Sequence, residues 1–295
     1  MHTWVIGSGG LLGGALIREF PVTFRGTSIN WEDATQSVRD LSENLIAFRT
    51  LVSTNPQPWL IVWAAGYATV TSDRETCHKE LKVFTEFIGI LEEQLPEGPG
   101  VFFLTSSAGG VYAGSTQAPF SATSAVAPLS EYGFLKLQQE TVAQKLEGVR
   151  VMIGRLSNLY GPGQDLNKLQ GVVSRLVKAG LEKETINIFV PLDTIRDFIF
   201  VQDAAATIAE VTQHSGSPNL IVIASGEPKS LGTVIAQVQD VLRIKIPIAY
   251  GVHDSRFSQV SDLRMTPTVL SPRSTPFPVG VKSVISDLLD RLQNQ

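Results

Sequence analysis

The chain has 295 residues, 43% of them hydrophobic, with 24 basic against 28 acidic side chains and a net charge of −4. That apolar share excludes a disordered chain, and so weak and mixed a charge excludes a protein held on nucleic acid by phosphate neutralisation. One cysteine, Cys77, excludes an internal disulfide, and four scattered histidines offer no metal-ligand spacing.

The N-terminal apolar run has no Lys or Arg before it and is broken by glycines, unlike a secretion signal. Leu60 to Val70 is too short for the roughly 20 helical residues that cross a bilayer. A soluble, cytoplasmic protein without membrane contact is expected. In chain order, Thr3–Ile6, Pro21–Phe24, Trp59–Ala65, Val101–Leu104 and Val149–Leu156 read as strands buried on both faces. Between them Leu11–Phe20, Leu41–Leu51, Leu81–Leu95 and Tyr132–Leu146 have helical spacing. Strand alternating with helix predicts a doubly wound parallel α/β sheet. The pattern loosens after Tyr160, where Gly161-Pro162-Gly163 marks a junction; Asn219–Ala224 is a further buried strand and Val281–Leu292 a final amphipathic helix. Trp59 and Trp63 are expected in the core. Cys77 and His78 are neighbours on a helix and do not face one another, so no thiolate nucleophile is expected.

The first strand runs into Gly7-Ser8-Gly9-Gly10-Leu11-Leu12-Gly13. Glycines there let the backbone turn tightly and approach a pyrophosphate, whose charge sits on the next helix's N-terminus. The bare alternative is a strand-to-helix turn without ligand. After the second strand an NAD site would want Asp or Glu, but the chain has Phe24-Arg25-Gly26-Thr27-Ser28. An arginine suits the 2′-phosphate of NADP, with NAD the alternative.

Tyr132 and Lys136 stand one helical turn apart. A free tyrosine, with a pKa of about 10, is a poor base at neutral pH; a neighbouring ammonium favours its phenolate. Such a tyrosine can exchange a proton with a sugar hydroxyl while hydride moves to or from a nicotinamide. Upstream, Thr105-Ser106-Ser107-Ala108-Gly109-Gly110 follows the fourth strand at the edge where open α/β sheets bind ligands. A serine there can hydrogen-bond the same substrate oxygen.

Three further segments, Arg155-Leu156-Ser157-Asn158-Leu159-Tyr160-Gly161-Pro162-Gly163-Gln164, Arg196-Asp197-Phe198-Ile199 with Val201 and Asp203, and Ser225-Gly226-Glu227-Pro228-Lys229-Ser230-Leu231, complete a pattern over nearly the whole chain. It resembles the extended short-chain dehydrogenase/reductase family of nucleotide-sugar epimerases, dehydratases and reductases. The resemblance implies a Rossmann-type domain over 1–160, with 201–226 returning to it. It also implies a smaller, discontinuous substrate domain from 161–200 and 227–275, then a C-terminal helix within 276–295. It implies Tyr132 as acid/base, Lys136 as its partner and ribose anchor, and Ser107 as the substrate-polarising hydroxyl. Ala64, Ala65 and Gly66 would pass the cofactor, with Leu156 and Asp40 as further contacts, the latter at the adenine. Ser106, Asn158 and Arg196 would face a nucleotide-sugar, Arg196 at its diphosphate.

There are departures. Many relatives place the catalytic Ser or Thr where this chain has Ala108, so either the loop carries an extra residue or Ser106 and Ser107 share the role. Glu80 occupies the region of a supporting Asn. Ala108-Gly109-Gly110 lacks the Asp-Glu pair of the dehydratases. A 4-keto reductase and a 4-epimerase both remain. So do a dinucleotide-binding regulatory module without turnover and a reductase of small non-sugar carbonyls. Relatives also pair the helix Leu81–Leu95 into a homodimer.

Overall fold

The computed structural model describes residues 1–21, 23–167, 170–251 and 260–293. The first half follows the alternation: β1 (His2–Ile6), α1 (Leu11–Glu19), β2 (Thr23–Phe24), α2 (Ala34–Thr54), β3 (Trp59–Trp63), α3 (Arg74–Glu93) and β4 (Gly100–Ser107). A one-turn α4 (Ala108–Val111), α5 (Glu131–Ala143) and β5 (Arg150–Leu156) follow. Two helices start earlier than their apolar spacing suggests, because their first turns are polar. Asp33 caps α2 by accepting from Gln36 N at 2.9 Å, and Asp73 caps α3 by accepting from Thr76 N at 2.8 Å.

The second half is built from β6 (Asn158–Tyr160), α6 (Val172–Glu182), β7 (Ile186–Ile188), β8 (Ile195–Phe200), α7 (Val201–Gln213) and β9 (Leu220–Ile223). It ends with β10 (Pro228–Ser230), α8 (Leu231–Leu242), β11 (Ile248–Tyr250), β12 (Asp262–Leu263) and α9 (Phe277–Gln293). Six parallel strands form the main sheet in the order β2-β1-β3-β4-β5-β9. Alternate side chains explain the two layers of helices, since the pleat has a period of two. Trp4, Ile6, Trp59, Ile61, Trp63, Phe102 and Leu104 meet Leu41, Leu45 and Phe48 of α2 and Phe84 and Phe87 of α3. Their neighbours Val5, Leu60, Val62 and Phe103 meet Leu12 and Leu16 of α1 and Ala204 and Ile208 of α7 on the other face. Each fully buried aromatic contributes about 1.5–3 kcal/mol. Val83, Phe84, Phe87, Ile88 and Leu91 of α3 all lie in the layer of Trp59 and Trp63.

A separate core gathers Tyr160, Phe198 and Phe200 with Leu176 of α6, Val234 of α8 and Val281 of α9. Strand β8 joins β6, β10 and β12 beneath it. Asp197 of β8, 1% exposed, fastens this layer to the main sheet. It accepts from Ser157 Oγ at 2.7 Å, Ser225 N at 2.8 Å, Ser225 Oγ at 3.0 Å and Gly226 N at 2.8 Å. No helix among the described residues is long and apolar enough to cross a membrane.

Candidate active site

After β1 the chain moves outward to β2 and then returns to the other side of β1 as β3, which opens a crevice at the carboxyl ends of β1 and β3. Gly7 lies there at φ +90°. A Cβ on it would fall 2.6 Å from Ala65 N, and one on Gly13 only 2.1 Å from Gly7 O. These two glycines are demanded by the packing of turn, helix and the Ala64-Ala65-Gly66 loop. Gly9 is different: a Cβ there would meet nothing within 4 Å. Helix α1 begins at Gly10 with no side-chain cap and no acid in its first turn. Ser8, Leu11 and Leu12 flank these positions. Exposed backbone N–H groups beside a bare glycine fit a pyrophosphate, and the residues present thus fit a dinucleotide.

Beyond β2, Arg25 is exposed and has no hydrogen-bond or ion-pair partner among the described residues. The turn behind it is fixed, because Asn44 of α2 accepts from Thr27 N at 2.8 Å and donates to Thr27 O at 3.1 Å. Asp40 differs from expectation. It lies inside α2, and its carboxylate accepts from Asn30 N at 2.8 Å and Gln36 Nε2 at 2.7 Å. Those bonds, the backbone one first, hold it below the usual carboxylate range and brace the loop before the helix. An open cleft of about 400 Å³ lies beside Gly66, walled by Trp31, Trp63, Tyr67 and Glu80.

Strand β4 continues to Ser107, so Ser106 and Ser107 face opposite sides of the sheet. Ser106 is 4% exposed and donates to Glu140 Oε1 at 2.6 Å. Glu140 also takes a bidentate Arg155, at 3.0 Å from Nε and 2.7 Å from Nη2, and Arg155 Nη1 donates to Tyr112 Oη at 2.6 Å. This buried network corrects the expectation that Ser106 meets substrate. Ser107 caps α4, accepting from Gly110 N at 3.1 Å, which leaves its own proton to donate. A Cβ on Gly110 would sit 3.3 Å from both Ser107 Oγ and the Tyr132 ring, so hydroxyl and ring converge on one point. A Cβ on Gly133 would lie 2.4 Å from Gly110 O, which fixes how closely α5 approaches α4.

Lys136 is 6% exposed, with Nζ 5.5 Å from the centroid of the Tyr132 ring. It donates to Gln139 Oε1 at 2.9 Å and to Glu80 Oε1 at 3.3 Å. Burial opposes its charge, but Glu80 and Tyr132 outweigh burial and its pKa is raised. Burial first, then Glu80, pushes the Tyr67 hydroxyl up to about 12. Cys77 packs on Leu135, and burial with Glu80 pushes its thiol up to about 11, which leaves it inert.

Asn158 stands near Gly109, its Oδ1 3.9 Å from where a Cβ would be, and its amide has no partner among the described residues. Leu156 ends β5, 6% exposed, in the core layer of α1 and α7. Arg196 is held on β8: Nη1 donates to Ile195 O at 2.8 Å and Nη2 to Val260 O at 2.9 Å. Burial lowers its pKa to about 10, against the pull of Asp262. Sequence reasoning gave no role to Gln139, Glu140 or Arg155. Helical spacing from Lys136 was the signal that could have found the first two.

Comparison with known proteins follows the same lines. The Escherichia coli dTDP-4-dehydro-6-deoxyglucose reductase is 27% identical over 193 residues, 63% of this chain and 58% of that protein. The dTDP-L-rhamnose 4-epimerase of Burkholderia thailandensis is 34% identical over 109 residues, 35% of this chain and 30% of the relative. The matched regions thus span less than two thirds of those relatives' lengths. Among solved structures, the Thermotoga maritima UDP-glucose 4-epimerase with UDP-glucose superposes with a TM-score of 0.80 at 16% identity, covering 99% of this chain and 100% of that one. RMD from Pseudomonas aeruginosa complexed with NADPH gives 0.74 at 16% identity, over 98% and 99% of the two chains. Likeness at that identity establishes the shared Rossmann-type fold. Residues 4–224 match the sequence profile of the NAD dependent epimerase/dehydratase family, and the chain belongs to that family.

Proposed function

We propose that the chain is a nicotinamide-dinucleotide-dependent enzyme that moves hydride at C4 of a nucleotide-activated sugar, working as a 4-keto reductase on NADPH. The convergence of the Ser107 hydroxyl and the Tyr132 ring on Gly110, one helical turn from the buried Lys136, carries the reading. When bound, the dinucleotide supplies the hydride. Ser107 donates its free proton as a hydrogen bond to the sugar oxygen and stabilises the charge that develops there. Tyr132 passes its phenolic proton to the same oxygen as carbonyl becomes alcohol, and takes it back in the reverse direction. The Lys136 ammonium stabilises the negative phenolic oxygen left behind. Asn158, with its amide free, and Arg196 are the residues proposed to face the nucleotide-sugar.

The unpartnered Arg25 supports NADP over NAD. The second reading is a 4-epimerase, which oxidises and re-reduces the sugar with a dinucleotide it keeps; the Burkholderia relative favours it. Calorimetric titration with NADP⁺ and NAD⁺, wild type against Arg25→Ala, is the first test, followed by NADPH consumption with nucleotide 4-keto sugars. Tighter NADP⁺ binding that is lost in the variant, with turnover of the keto sugar, is the expected result. NAD(H) surviving purification turns the reading to the epimerase. Binding without turnover identifies a regulatory dinucleotide module, and turnover of simple carbonyls alone removes the sugar.

A further inference from the structure

Glu80 is a charged residue buried beside the lysine. It is 3% exposed on α3, and its carboxylate is fully used. Oε2 accepts from Tyr67 N at 3.0 Å and Ala68 N at 2.9 Å, and Oε1 from Lys136 Nζ and Gln139 Nε2, both at 3.3 Å. The loop comes this close because Gly66 has no side chain: a Cβ on it would lie 3.1 Å from Glu80 Oε1. The charged or titratable groups that face Lys136 are Glu80 and Cys77 from α3 and Tyr132 from α5. Gln139 adds a neutral amide from α5. Glu80 is thus the one anion set against the ammonium among the described residues. An unpaired ammonium in so dry a place would shed its proton. An ammonium has three N–H donors, and Glu80 with Gln139 takes two.

We propose that Glu80 is the positioning residue for Lys136: its carboxylate keeps the lysine charged inside a dry pocket, yokes it to the 66–68 loop, and leaves one N–H for a ribose hydroxyl. The last clause rests on the dinucleotide reading above; the charge pairing does not. A merely structural Glu80 would pin Tyr67 and Ala68 and leave the lysine's protonation alone.

The distinguishing variant is Glu80→Gln, which keeps an oxygen for the loop amides and removes the charge. Cyanate carbamoylates only the neutral amine, so the rate at Lys136, located by peptide mass spectrometry on the whole protein, reads its protonation. At about pH 8, well below the ordinary lysine pKa of about 10.4, the variant should react at least about tenfold faster at Lys136, tenfold being one pKa unit. Lys79 and Lys82, whose side chains are 61% and 67% exposed, should be unchanged and serve as internal standards. An unaltered Lys136 rate in a variant with wild-type circular dichroism overturns the proposal. If Glu80→Gln does not fold, the proposal requires that adding Lys136→Met restores folding by removing the buried amine left without its carboxylate; failure to restore it overturns the pairing. Dinucleotide titration of the wild type is read separately: absence of binding removes the function proposed above, while the cyanate rates decide Glu80.

Discussion

Two glycines four residues apart in the first turn make opposite predictions when each is replaced by alanine. At Gly13 the new Cβ would fall 2.1 Å from Gly7 O, 2.7 Å from Gly7 C and 2.9 Å from Ser8 Cα. All three are backbone atoms, and Gly7 is itself held against Ala65 N, so helix α1 must shift off the sheet. Overpacking of this kind costs about 1–3 kcal/mol. In a domain of this size that lowers Tm by about 2–4 °C per kcal/mol. At Gly9 the Cβ meets nothing, and the residue lies outside the left-handed region. Gly9→Ala should therefore fold as well as wild type, or gain about 0.4–1 kcal/mol from a stiffer unfolded chain. Its cost should fall on the ligand, because the methyl occupies the space a pyrophosphate needs, and NADP⁺ affinity should drop about tenfold or more. Scanning calorimetry and titration calorimetry on both variants check the pair. Wild-type affinity in Gly9→Ala, or wild-type Tm in Gly13→Ala, would refute the division of labour between the two glycines.

Arg155→Met strands the Glu140 carboxylate in the interior and should cost about 3–5 kcal/mol in urea unfolding, with much of it recovered when Glu140→Leu is added. Asp197→Asn replaces one of two accepting oxygens, each of which takes one backbone N–H and one hydroxyl, by a donor set against one backbone N–H; about 2–4 kcal/mol should be lost, read as a lower urea midpoint. Cys77, with its thiol pushed up to about 11, is neutral at pH 8 and stays so until well above it, so iodoacetamide should label it only after unfolding. Labelling of the native protein as fast as of the unfolded one would contradict the burial described.

The main sheet is readable in the sequence because its strands are buried on both faces, and Trp59–Trp63 or Phe102–Leu104 cannot then be anything polar. The glycine turn is readable for a similar reason, since backbone crowding at Gly7 and Gly13 leaves one residue type. The polar first turns of α2 and α3 hid those helix starts, although Asp33 and Asp73 are ordinary caps. Ser106 and Ser107 look interchangeable in a sequence whose apolar run ends at Leu104. Once the strand runs to Ser107, the pleat alone separates them. Glu80 could not be assigned a partner, because Lys136 lies 56 residues away and nothing local marks the meeting. The layer after Tyr160 was dim because its strands, such as β7 and β11, are only three residues long and pair with distant segments.

Asp197 has a consequence for anyone who wishes to exchange parts between members of this family. The Ser157 hydroxyl comes from the end of the main sheet, the Ser225 and Gly226 donors from where the chain leaves it again, and the acid from the smaller layer. A graft that swaps the smaller layer for another specificity therefore has a natural seam on either side of this one carboxylate. Junctions that carry Ser157, Asp197 and the Ser225-Gly226 turn together bring their own clasp. Junctions that take the acid from one parent and the serines from another leave a buried charge without its complement, whatever sugar the new half was meant to hold.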